Sequence, residues 1–250
     1  MNTTKQELAE KLDELIEGFH KARLAKTQEL KLDDVLKRKN PYLFKVKGLS
    51  SVEAFVRSLL DATIASSEET LFGETMEHLA IYICERERGG WKSSCEGIDC
   101  EFPADNGRTR YLISIKSGPN WGNSGQIKRM KDEFKKACIT LRTTNSQLHI
   151  ICVNGCCYGK DRHSDKGDYF KYCGQAFWEL VSGEPDFYKD ILEPFEKNAK
   201  QKNDEFEEEY QNVVNKFTGE FTQKYCHPNG SINWEKILEF NSAKDDPKTE

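Results

Sequence analysis

The sequence predicts an α/β fold, a mixed central β-sheet flanked by helices, with helical additions at both ends. Three observations predict it. Two strand-like runs, 97–103 and 109–116, are joined by a tight-turn signal, Asp105-Asn106-Gly107. A third run, LHIICVN at 148–154, is almost continuously apolar, as a strand buried on both faces requires. Between the second and third runs lies a helical stretch from Ser124 to Thr144, long enough to cross over between parallel strands.

The elements follow in order. Residues 5–37 have helical spacing, with Leu8, Leu12, Leu15 and Phe19 on one side, and Asn40-Pro41 breaks it. Ser50-Ser51-Val52-Glu53 has capping-box spacing and opens a helix to about Ser66. A second helix is predicted from about Glu68 to Arg88, with Phe72, Met76, Leu79, Ala80 and Ile83 as its buried stripe and Gly89-Gly90 as its stop. After the three strands comes a polar loop, 158–169, and then a short helix from Gly174 to Val181 ending at Gly183. Residues 185–225 read as largely helical, broken near Glu193-Pro194; 227–240 reads as a turn and an amphipathic segment. Tyr42, Trp178 and Trp234 are expected in the core. One domain is expected over 1–241, with its core at about 50–182, additions at 1–49 and 185–241, and a disordered tail at 242–250.

The hairpin carries the chemistry. With Asn106 and Gly107 as the turn residues, Asp105 pairs with Arg108, Asp99 faces Ser114, and Gly97 faces Lys116. Side chains alternate along a strand, so Asp99, Ser114 and Lys116 share one face. A carboxylate and a lysine together are the minimal apparatus for metal-assisted phosphodiester hydrolysis. Mg²⁺ takes one or two carboxylates plus waters and phosphate. It polarises the phosphoryl oxygen and acidifies a bound water, while a lysine orients the attacking water and balances charge. An ordinary surface hairpin also carries such pairs, so the surrounding order of elements decides.

Composition bounds the setting. The 250 residues are 37% hydrophobic and 32% charged, which suits a globular protein with a polar surface. No apolar run has the length of a membrane span, and MNTTKQELAEKLDEL does not read as a signal peptide, so no membrane association and a cytoplasmic, prokaryotic location are expected. The nine cysteines form no CxxC pair, which argues against structural zinc and for reduced thiols. The net charge of −5 excludes a purely electrostatic nucleic-acid coat, but the distribution is uneven. Residues 107–136 hold eight Lys and Arg against Asp132 and Glu133, while 196–210 is acidic.

The order of elements and the Asp99…Ser114-Ile115-Lys116 spacing resemble the PD-(D/E)xK nuclease superfamily. The wider context resembles a type II restriction endonuclease: Asn40-Pro41-Tyr42-Leu43-Phe44, Leu71-Phe72-Gly73, SIKSGPNWGNSGQ at 114–126, Cys157-Tyr158-Gly159-Lys160 and Ala176-Phe177-Trp178. The resemblance covers roughly 40–182 and implies a restriction-endonuclease-like fold. It also implies Mg²⁺ as cofactor, double-stranded DNA as substrate, and a homodimer. Two positions depart from the pattern. Ile98 stands in place of proline, and Ser114 stands where an acidic metal ligand is usual. Related enzymes can supply that acid from a neighbouring helix. Glu77, on the helix before the sheet, is the first candidate, so Asp99, Glu77 and Lys116 form the expected catalytic set, with Asp99 and Glu77 on the metal. Glu133 and Glu101 are the alternative acids.

DNA contacts are expected from two loops. Asn120, Asn123, Ser124, Gln126 and Lys128 lie where the catalytic strand meets the next helix, whose N-terminus suits a phosphate. Lys160, Arg162 and Lys166 lie in the 158–169 loop, and Arg or Lys to guanine is the commonest specific base contact. The leading expectation is a Mg²⁺-dependent, sequence-specific endonuclease. The alternatives are a nuclease-like DNA-binding module that has weakened or lost catalysis, which Ser114 favours, and a structure-specific nuclease.

Overall fold

A computed structural model describes residues 3–49, 51–104, 107–196 and 199–244. Residue contacts group the chain into two compact units, Met1–Phe19 with Leu71–Lys197 and His20–Thr70 with Asn198–Glu250. Helices α1 (Lys5–Gln28) and α4 (Val52–Arg88) contribute residues to both.

The first unit holds the sheet, a five-stranded one in the order β1 (Trp91–Lys92), β2 (Cys100–Pro103), β3 (Thr109–Lys116), β4 (His149–Cys156), β5 (Phe170–Cys173). The β1–β2 and β2–β3 pairs are antiparallel, and β3–β4 and β4–β5 are parallel. The sheet is therefore mixed, as expected. The β2–β3 register, Cys100 opposite Ile113 and Pro103 opposite Arg110, is the one the turn signal predicts. Asp105 and Asn106 themselves lie outside the described residues, as do Ser50 and the tail from 245.

Alternation along β3 separates two cores. Ile113 and Ile115 face Leu79, Ala80 and Ile83 of α4, Leu8 and Leu12 of α1, and Phe177 and Trp178 of α6 (Gln175–Ser182). Leu112 faces the other way, onto Met130, Phe134 and Ala137 of α5 (Ser124–Thr144). Each fully buried Leu, Ile or Phe contributes about 1.5–3 kcal/mol relative to exposure, so this sandwich holds the sheet. Helix α5 is the predicted crossover. It starts on a capping box in which Asn123 accepts from the Gln126 amide and Gln126 accepts from the Asn123 amide.

The second unit is helical. It contains α2 (Leu32–Lys37), α3 (Pro41–Val46), α9 (Ala199–Tyr225) and α10 (Trp234–Ser242). Phe55, Leu59 and Leu60 pack there on Phe217 and Phe221. In the first unit, α7 (Phe187–Asp190) and α8 (Leu192–Glu196) follow α6.

Several expectations are corrected. The two helices expected over 51–88 are one helix, α4, because Ser66 and Ser67 lower helix propensity without removing a backbone donor. The single helical stretch expected over 5–37 is two helices, parted between Gln28 and Leu32. α2 ends at Lys37 with Arg38 as its C-cap, and Asn40 caps α3 by accepting from the Tyr42 and Leu43 amides. Phe72 and Tyr42 are exposed, at 37% and 64%, whereas Trp178 is buried as expected. Strands β1 and β5 were not expected.

Candidate active site

Three strands end together. Lys92 ends β1 and pairs with Cys100; Asp99 immediately precedes β2; Lys116 ends β3. The antiparallel register places these residues at one end of the sheet. Helix α4 brings Glu77 to the same end. Met76, Leu79 and Ala80 are buried against the sheet, and Gly73 lies beside the Ser117 side chain, just past β3. Glu77 is half-buried between them.

Asp99 is fixed from both sides. Its amide donates to the Ile113 carbonyl at 2.8 Å, and its Oδ2 accepts from the Ile115 amide at 2.5 Å. Burial raises its carboxyl above the usual aspartate range. The Ile115 hydrogen bond and the charges of Lys116 and Lys92 oppose that rise, and the charge of Glu133 adds to it. Burial also raises Glu77, and the negative charge of Asp99 adds to the rise, against Lys116, His78 and Lys92. Two carboxylates that are partly desolvated and repel one another have reason to take up a cation. Among the described residues no group of three or more His, Cys, Asp and Glu side chains comes together to hold a metal. A cation here would thus take two carboxylates and complete its shell with water and phosphate oxygen, the habit of Mg²⁺.

The other acids are already engaged. Glu133 of α5 rests against Gly97 and accepts from Arg129 Nε at 2.7 Å. Its charge still reaches Asp99. Glu101 is 2% exposed; it accepts from Ser93 Oγ at 2.7 Å and pairs with Arg110 at 3.4 Å. Ser114 is buried and offers no anionic oxygen.

Lys116 Nζ donates to the Ile115 carbonyl at 2.8 Å and sits 5.4 Å from the centre of the Trp121 ring. An ammonium has three donors, so two remain for water or phosphate. The Lys92 side chain is exposed and makes no hydrogen bond or ion pair among the described residues.

The two loops expected to meet DNA are joined. Lys171 Nζ donates to the Pro119 carbonyl at 2.7 Å, and Gly159 packs on the Pro119 ring. Asn120, Ser124 and Lys128 are exposed beside them. Asn123 and Gln126 are exposed too, with their oxygens committed to the capping box. Lys160 and Arg162 are exposed on a cleft of about 950 Å³ that Tyr158, Trp178 and Tyr188 also line. Lys166 is held instead by Asp161, at 3.0 Å.

Lys92 and Asn154 were missed in the sequence. A two-residue strand gives Lys92 no periodic signal. Asn154 had one: it is a polar residue at the end of the strand-like run LHIICVN.

Compared with known families, residues 6–203 match the family model described as Type II restriction endonuclease EcoO109I. No curated protein matches the chain.

Proposed function

This chain belongs to the type II restriction endonuclease EcoO109I family, and on that premise we propose that it cuts double-stranded DNA at a specific sequence with Mg²⁺ as cofactor. One observation carries the reading. Two half-buried carboxylates whose ionisation is opposed, Asp99 and Glu77, meet Lys116 and Lys92 at one end of the sheet.

Asp99 and Glu77 would hold the ion through their carboxylate oxygens. Bound there, it supplies Lewis-acid polarisation of the phosphate and lowers the pKa of a water. The Ile115 amide keeps the Asp99 carboxylate in one orientation. Lys116, tethered by its bond to the Ile115 carbonyl, orients the attacking water with its free N–H groups and offsets charge on the phosphorus-bound oxygens. Lys92, whose side chain is exposed, meets a second phosphate oxygen. The Asn120 and Lys160 loops, joined through Pro119, present donors to the DNA backbone and bases. A homodimer belongs to the proposal, because a two-fold protein matches a two-fold site. So does a prokaryotic cytoplasmic setting. No helix among the described residues is long and apolar enough to cross a membrane.

Incubating linear duplex DNA with the protein and Mg²⁺, against an EDTA control, tests this. Discrete fragments support it. Buried Ser114 favours a second reading, a DNA-binding module without catalysis, and DNA binding with no cleavage would establish that instead. Cutting confined to junctions or flaps would indicate a structure-specific nuclease.

A further inference from the structure

Asn154 is a polar side chain inside strand β4, with 1% of its surface exposed. A buried amide costs free energy unless its bonds are made. Here they are made, in two directions. Nδ2 donates to the Ser114 carbonyl on β3 at 3.2 Å. Oδ1 accepts from the Trp121 indole Nε1–H at 3.0 Å. Asn154 thus ties the strand that carries Lys116 to the loop that follows it. The anchored indole then lies with its ring centre 5.4 Å from Lys116 Nζ, inside the roughly 6 Å range at which an aromatic face attracts a cation. A leucine in place of Asn154 would keep the branched shape without an amide, and would leave the Trp121 N–H and the Ser114 carbonyl without this partner. The amide therefore also sets the direction of those two groups.

We infer that Asn154 and Trp121 are positioning residues for Lys116. Asn154 fixes the indole, and the indole face fixes where the ammonium points. The inference rests on the role in phosphodiester hydrolysis proposed above for Lys116. Neither residue needs to touch DNA for it to hold. A lysine has four rotatable bonds and a compact charge, so it holds a defined position only where its surroundings supply one. The Ile115 carbonyl supplies one bond and the Trp121 face supplies a wall.

The test separates geometry from activity. Lysines are labelled with ¹³C at Cε, and the Lys116 signal is identified by its loss in Lys116→Arg. The indole ring current should displace that signal from the common lysine position. Asn154→Leu should move it back, Trp121→Leu should abolish the displacement, and Trp121→Phe should give an intermediate value. In the same variants, single-turnover cleavage at saturating DNA should fall at least about tenfold for Asn154→Leu and Trp121→Leu, and less for Trp121→Phe, with DNA affinity within about twofold of wild type. An unmoved Lys116 signal in folded Asn154→Leu overturns the inference. A moved signal with an unchanged cleavage rate overturns it equally. Should Asn154→Leu fail to fold, Trp121→Phe poses the same question by removing the indole N–H while keeping an aromatic face. If wild type cleaves no DNA while the signal responds as expected, the nuclease reading fails and the Asn154–Trp121 anchor stands.

Discussion

Glu133 presses its carboxylate on the backbone of Gly97: a Cβ added at Gly97 would fall 2.2 Å from Glu133 Oε2. Gly97 has φ of 77°, left-handed backbone, two residues before Asp99. Arg129 holds Glu133 in place at 2.7 Å. Helix α5 therefore braces the turn that aims Asp99. Gly97→Ala should destabilise the fold by about 1–2 kcal/mol through backbone strain, and further through displacement of Glu133. Urea unfolding of Gly97→Ala and Gly97→Ala/Glu133→Ala should show partial recovery in the double variant. No recovery would mean that the carboxylate carries no weight, and that strain and the remaining Glu133 Cβ contact carry all of it.

Asp99→Ala should abolish cleavage and leave specific DNA binding largely intact. Its carboxylate is a proposed metal ligand, whereas affinity comes from the loops and their cations. Gel-shift and cleavage assays on one duplex measure both. Full activity in Mg²⁺ would remove the hairpin from the mechanism.

Why the hairpin was legible and its surroundings less so has a physical reason. The Asn106-Gly107 signal predicts a two-residue turn, and a turn position sets every pair outward from it, so the register that puts Cys100 opposite Ile113 could be read by counting. The crossover could be read because α5 and the apolar β4 are long. β1 and β5 were not legible: strands of two and four residues show no period. Asn123 and Gln126 were read as DNA contacts, yet their three-residue spacing is also a capping box, and the structure shows that box. Tyr42 is expected in the core, but α3 turns it to solvent.

Lys116→Ala should lower the single-turnover rate far more than the affinity, since its free N–H groups act where charge develops. Lys92→Ala should show the opposite balance. Lys92 is exposed, and its proposed task is to hold a phosphate that is charged in the ground state as well. Weakened binding that grows with salt would support that role. A rate loss at saturating DNA as large as that of Lys116→Ala would place Lys92 in the chemical step instead.

Glu77→Gln should cut the cleavage rate by orders of magnitude and remove the response to Mg²⁺, while Glu133→Gln should do little. Glu77 faces Asp99 with its charge opposed; Glu133 is already balanced by Arg129. The pH dependence gives a second reading of the same pair. Glu77 and Asp99 both titrate above their ordinary values of 4.5 and 3.8. The folded state then keeps those protons to higher pH than the unfolded state does. Stability contributed by the protonated pair is therefore present below the ordinary values and lost as pH rises through the raised ones. Without metal, wild type should lose stability on this rise, and Glu77→Gln should lose less. Mg²⁺ competes with the same protons, so its stabilisation of wild type should grow over the same rise and be absent in Glu77→Gln. Thermal melts followed upward from the ordinary values of 3.8 and 4.5, with Mg²⁺ or EDTA, read both effects. A Mg²⁺ response kept in Glu77→Gln and lost in Glu133→Gln would transfer the metal-ligand role to Glu133.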